Sequence, residues 1–155
     1  MIIVHDFFSQ NGGGENLVLS LAHELNLEVK TAYNIKKKQK LIKQSKLSFI
    51  LKRSKLFVFL FYRFIFRVKE DDTIIFSGNH CCFSISNCKA KKKILYAHSL
   101  PKSLFSDLYM DHNKSLFSIF FKNTQIKQYS KNLYCLDKII FNSNKTKLKF
   151  FHVFK

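Results

Sequence analysis

Four short apolar runs each close on a small or polar pair, and that recurrence restricts the possible folds more than any other feature of this sequence. Ile2-Ile3-Val4 runs into His5-Asp6, and Thr73-Ile74-Ile75-Phe76 into Ser77-Gly78. Ile94-Leu95-Tyr96-Ala97 runs into His98-Ser99, and Lys138-Ile139-Ile140-Phe141 into Asn142-Ser143. Short apolar runs bounded in this way read as buried strands. After the first run the chain reaches Gly12-Gly13-Gly14-Glu15, and then Leu17, Val18, Leu21, Ala22 and Leu25 recur at helical spacing. That spacing predicts a helix over about 15–26. Residues 27–31 alternate and read as a second strand. Strands alternating with helices in this order predict an α/β fold, a doubly wound, mostly parallel, Rossmann-like sheet with at least five strands. Ligands of such sheets sit at the carboxyl ends of the strands.

Elsewhere the pattern is less sharp. From 36 to 69 the text is basic and apolar, without Gly or Pro. Leu47, Ile50, Leu51, Phe57, Leu60, Phe61, Phe64 and Val68 fit helical faces, but 56–62 is apolar all round, so periodicity alone leaves it open between helix and strand. A mostly helical region is expected over 102–134 and a further helix over 146–155.

Composition removes several classes. The 155 residues suit one domain, 1–155, and 46% hydrophobic content against 24% charged excludes a disordered tail. No apolar run approaches the ~18 residues of a membrane span, and the opening residues lack the basic region of a signal peptide. A cytoplasmic protein is therefore expected. Cys81, Cys82, Cys88 and Cys135 form no C-x-x-C pair, so they read as buried, reduced thiols rather than metal ligands, with Cys81 and Cys82 on a strand end and facing opposite ways.

The net charge of +17 is concentrated. Residues 1–29 hold four acids and no Lys or Arg; residues 30–69 hold thirteen basic residues and no acid. Only three of the 27 basic residues are Arg, and the wealth of Lys, Phe, Ile and Asn is what an AT-rich coding sequence gives, so bias explains part of the excess. A field of this sign attracts nucleic acid, anionic lipid or nucleotide-linked substrates. For 47–69 two readings stand: a core helix with snorkelling Lys stems, or an interfacial patch facing anionic lipid.

At the strand ends stand the groups able to do chemistry. Three consecutive glycines let backbone amides approach an anion, and the helix that follows adds its positive end; a plain flexible turn is the simpler explanation. The pattern is neither G-x-G-x-x-G nor a P-loop. His98 leaves a buried strand just before Pro101, the only proline, and is placed to reach a ligand. His5 and His80 lie near other strand ends, whereas His23, His112 and His152 fall on surface or helical positions. Asn142-Ser143 is explained by helix capping.

In this order the motifs resemble the N-terminal domain of the family 4 glycosyltransferases, retaining enzymes of the GT-B fold. Gly12, Gly13 and Glu15 match the Gly-Gly-Ala-Glu-Arg-like loop, with Gly14 at the small residue and Asn16 in place of the Arg. Tyr96, His98 and Ser99 match the Tyr-x-His-Thr/Ser-Pro-x-Arg-like motif, with Leu100 for the Pro, Lys102 for the Arg and Phe105 where an aromatic is common. Asp137, Ile139, Asn142 and Ser143 match the closing strand. The resemblance covers essentially the whole chain.

It implies transfer of a sugar from a nucleotide-sugar donor to a glycan or lipid-linked acceptor with retained configuration, with no cofactor and no metal. His98 becomes the candidate catalytic residue, Gly12 and Gly13 the candidates for the donor phosphates, and His5, Asp6, Ser99 and Lys102 candidate substrate contacts. The family's donor-binding half carries a Glu-x7-Glu element with no counterpart here, since no Glu follows Glu70. The expectation is therefore the acceptor-side half of an enzyme, inactive alone, from a truncated gene, a fragment or a split enzyme with a separate C-terminal partner. Peripheral contact with the cytoplasmic membrane face is a further expectation. The competing readings are a basic nucleic-acid-binding module, for which no recognised motif is present, and a non-catalytic Rossmann-like domain that binds nucleotide or sugar.

Overall fold

The computed structural model describes residues 1–8, 12–34, 41–52, 54–69, 71–101, 104 and 116–154. Six strands form one all-parallel sheet: β1 (Ile2–His5), β2 (Glu28–Thr31), β3 (Ile42–Gln44), β4 (Asp71–Ser77), β5 (Ala90–Ala97) and β6 (Lys138–Phe141). Their spatial order is β3-β2-β1-β4-β5-β6. The chain thus winds outward from β1 in one direction, returns to the other side at β4 and winds outward again, the doubly wound Rossmann-like topology that the sequence predicts.

Alternation along the central strands divides the core between the two faces of the sheet. Ile3 pairs in register with Val29 on one side and Ile75 on the other. With Val18 and Ala22 of the helix α1 (Gly13–Glu24), Ile3 and Val29 bury a small cluster. Val4 pairs with Phe76, and this opposite face carries the larger core, with Val58, Phe59, Tyr62, Phe83, Leu95, Tyr129 and Phe150. Leu95 belongs to β5; the rest, with Leu51, come from elements outside the sheet: α2 (Ser48–Leu51), α3 (Lys55–Leu60), a widened π turn over Phe61–Ile65, a 3-10 helix over Cys81–Asn87, α4 (Leu116–Leu133) and α5 (Asn144–Val153).

Local chemistry sets several boundaries. The hydroxyl of Ser54 accepts from Leu56 N (3.1 Å) and starts α3, and that of Ser143 accepts from Thr146 N (3.2 Å) and starts α5. Asp137 brackets β6 onto β5: its carboxylate accepts from Lys93 N (2.7 Å), and its own N–H donates to Lys93 O (2.9 Å). Asp137 and Ser143 therefore hold the closing strand in place. The π turn ends on Phe66 N donating to Phe61 O (2.8 Å).

Three expectations need correction, and one open choice is decided. The first helix begins at Gly13, inside the glycine run, and ends at Glu24. The segment 56–62, open between helix and strand from its sequence, is helix and π turn. Cys81 and Cys82 open the 3-10 helix instead of ending a strand, and both are buried. Cys135 is exposed, because it lies just past the end of α4, whereas Cys81, Cys82 and Cys88 are buried thiols as expected. The strand β3 was not anticipated. It is a three-residue edge strand in lysine-rich text, a composition that blunts an open sheet edge and hides the apolar signal. Of the predicted 102–134 helical region, 116–133 is helix, while 102–103 and 105–115 lie outside the described residues.

Candidate functional site

The strand order reverses between β1 and β4, and the crevice at such a switch point is where open α/β sheets bind ligands. His5 ends β1 and Ser77 ends β4, paired in register. The Ser77 carbonyl takes a hydrogen bond from His5 Nδ1, so that nitrogen carries the proton. The Ser77 hydroxyl lies 2.7 Å from His98 Nε2. His98 follows β5 directly, and its ring meets Tyr96 edge-on at 4.9 Å. Three neighbouring strand ends therefore carry the sequence His5–Ser77–His98.

His98 also reaches α1. A Cβ built on Gly14 would stand 3.6 Å from His98 Nδ1, so the imidazole faces the first turn of the helix across ordinary contact distance. The preceding turn is open: a Cβ at Gly12 or Gly13 would meet nothing within 4 Å, and both residues are exposed. Gly12 is the N-cap residue and supplies no side-chain acceptor to the first amides of α1. Those amides, the helix dipole and the Nδ1 edge of His98 share one opening. Burial, and secondarily the neighbouring His5, hold the His98 pKa below the ordinary imidazole value of 6.5, with Asp6 opposing them. His98 is therefore neutral at pH 7, able to donate from one ring nitrogen and accept at the other.

Asp6 has a definite structural task. Its carboxylate accepts from Asn79 N (2.7 Å) and Cys81 N (2.6 Å), one on each oxygen, and so fixes the turn leading into the 3-10 helix. Gly78 makes this possible. Its φ is +144°, and a Cβ there would lie 2.5 Å from the Asp6 carboxylate. Behind the site, Tyr62 of the π turn donates to the carbonyl oxygens of His5 (2.6 Å) and Asp6 (3.0 Å) and accepts from Ala32 N (3.1 Å).

Two further side chains face the same end of the sheet. Tyr33 stacks on Phe7 at 4.9 Å, and burial together with the charges of Asp6 and Glu15 raises its pKa above the usual phenol value. The charges of Asp6 and Glu15 thus both act on the Tyr33 hydroxyl. His80 lies beyond Gly78 with its ring 6.2 Å from Phe7, and its buried Nδ1 has no hydrogen-bond partner among the described residues. Sequence reasoning passed over Ser77 and Tyr33. The Ser-Gly pair closing β4 was a usable signal for Ser77, whereas nothing local marks Tyr33.

Of the residues singled out from sequence, His5, Asp6, His98 and the glycine turn share one end of the sheet. Ser99 is exposed, and among the described residues no hydrogen bond ties it to this group. Lys102, Phe105 and His112 lie outside the described residues. Among the described residues no three His, Cys, Asp or Glu side chains are grouped to hold a metal ion. A second concavity, about 290 Å³, lies between β2, β3 and the π turn, with Lys30, Lys43, Arg67, Phe61 and Phe66 in its lining. Its cations are partly compensated: Glu28 is 2.5 Å from Lys43 and 4.0 Å from Lys30.

Compared with known proteins, the chain matches no family model, no curated protein and no solved structure.

Proposed function

We propose that this chain is the acceptor-side half of a retaining glycosyltransferase, moving a sugar from a nucleotide-sugar donor to a glycan or lipid-linked acceptor. The observation that carries the reading is the seating of His98 against Gly14 at the mouth of α1, at the sheet's switch point. Gly12, Gly13, His98 and Asn142, taken from the three motifs that resemble the family, follow or precede elements at the carboxyl end of the sheet, and this juxtaposition supports the reading.

In this reading the open amides at Gly12 and Gly13 meet the donor diphosphate, where the charge of the leaving group develops. Ser77 donates to His98 Nε2 and so leaves the proton of the imidazole on Nδ1, directed at the opening. From there His98 donates to an oxygen of the transferred sugar. The gain in rate comes from holding two substrates in line and from fixed dipoles around the departing diphosphate. These 155 residues contain no Glu-x7-Glu element, and in this reading the chain by itself binds but does not turn over.

Titration with uridine, adenosine and guanosine diphosphates tests this. Saturable binding of at least one, weakened about tenfold or more (the loss of one good hydrogen bond) in both Gly13→Val and His98→Ala, is expected. No sugar transfer by the isolated chain is expected. Binding indifferent to both substitutions, or turnover of a nucleotide sugar by the chain alone, would overturn the proposal.

A further inference from the structure

The segment 47–65 faces two ways. Leu51, Val58, Phe59 and Tyr62 are buried in the larger core and lock its orientation. With that side fixed, Phe49, Ile50, Leu56, Phe57, Phe64 and Ile65 are left on the outside, Phe49 at 69%, Phe64 at 60% and Ile65 at 58% exposure. The core-helix and interfacial-patch readings of this segment are thus compatible, each describing one side. The helices α2 and α3 pack on each other, and α3 runs directly into the π turn that it contacts, so the exposed residues lie along one continuous packed segment. Exposed Lys46, Lys52, Arg67 and Lys69 flank them, and the Arg63 guanidinium lies 5.0 Å from the Phe64 ring centre. No acid occurs from 30 to 69.

We propose that this face docks on an anionic lipid bilayer, with Phe49, Phe64 and Ile65 entering the boundary between headgroups and acyl chains and the basic residues meeting the headgroups. Charge complementarity selects the occupant. A second copy would set an all-cationic surface against its like, so the partner carries negative charge. Ile50, Leu56 and Ile65 then separate lipid from nucleic acid: stacking on bases uses aromatic rings, whereas an aliphatic and aromatic ridge among cations suits the interface of a bilayer. No helix among the described residues is long and apolar enough to cross a membrane, so contact through this face lies along the surface. The docking face is joined to the candidate site by Tyr62, which belongs to the π turn and holds the carbonyls of His5 and Asp6. The proposal stands independently of the sugar-transfer reading.

The chain has no Trp, so a single introduced indole reports its own surroundings. Phe64→Trp places it on the proposed face. Leu25→Trp places it at the end of α1, whose buried side packs on the opposite face of the sheet, at a position 50% exposed. With vesicles of equal parts phosphatidylglycerol and phosphatidylcholine, the Phe64→Trp emission should shift to shorter wavelength, and with pure phosphatidylcholine it should not. Leu25→Trp should stay unshifted with both. The double substitution Phe49→Glu, Phe64→Glu should lower co-sedimentation with the anionic vesicles about tenfold or more at an unchanged melting temperature. An unmoved Phe64→Trp signal, equal shifts from both reporters, or binding to a single-stranded oligonucleotide tighter than to the anionic vesicles would overturn the proposal.

Discussion

Gly78 and Gly12 illustrate how differently two glycines of one site constrain it. At Gly78 the backbone lies at φ +144°, a region L-residues avoid, and the space a Cβ needs is filled by the Asp6 carboxylate. Gly78→Ala should therefore cost more than about 2 kcal/mol in urea unfolding. Gly12→Ala, at an ordinary φ of −76° with open space around it, should cost no more than about 1 kcal/mol. Gly14→Ala should stabilise by about 0.5–1 kcal/mol, since it fills a helical position whose new Cβ meets His98 at ordinary contact distance. Equal effects at positions 12 and 78 would contradict this account of the turn. His98 gives a prediction in pH. Its folded pKa lies below the unfolded value near 6.5, so between the two values the unfolded chain holds more protons. Stability conferred by this site is present above pH 6.5, falls as the pH drops through that value, and levels off below the folded pKa. Melting temperatures between about pH 7 and pH 5 should fall less steeply for His98→Gln than for the parent chain. An identical slope in both would show that the imidazole is not held neutral.

Elements place these residues, and the π turn is the one whose position matters most to the site. It carries Tyr62, fully buried, to the ends of β1 and β2, where one hydroxyl meets two carbonyls and one amide. Tyr62→Phe keeps the ring and removes those bonds, which should cost about 1–3 kcal/mol and show as a lower urea midpoint without a change in slope. A neutral Tyr62→Phe would contradict the anchoring role. Legibility in the sequence also divides by element. β1, β4, β5 and β6 were visible because each is apolar and followed by a polar or glycine pair, and α1 because Val18 and Ala22 keep the helical spacing. β3 was not visible: Ile42, Lys43 and Gln44 gain strand character only from pairing with β2. Nor was the choice of helix over strand for 56–62, since a run buried or apolar all round has no period to read. The brace on Asp6 was equally hidden, because it depends on amides 73 and 75 residues further along the chain.

At the scale of the whole molecule, the larger core lies on one face of the sheet and the small α1 cluster on the other, while the candidate site occupies the carboxyl end between them. Position at the strand ends could be read from sequence, because a doubly wound order puts every loop after a strand on the same side. The grouping within that end could not, since it follows from β1 and β4 being neighbours, 72 residues apart at His5 and Ser77. The charge is uneven as well: the exposed Lys46, Lys52, Arg67 and Lys69 border the segment that covers the larger core. The central claim is that ligands enter at Gly12–Gly14 and His98. Amide and imidazole nitrogen NMR of the full chain during titration with a nucleoside diphosphate tests it most directly. Saturable shifts of the Gly12, Gly13 and Gly14 amides together with His98 Nδ1 are predicted; shifts absent there, or confined to the cleft between Lys30, Lys43 and Arg67, would contradict it.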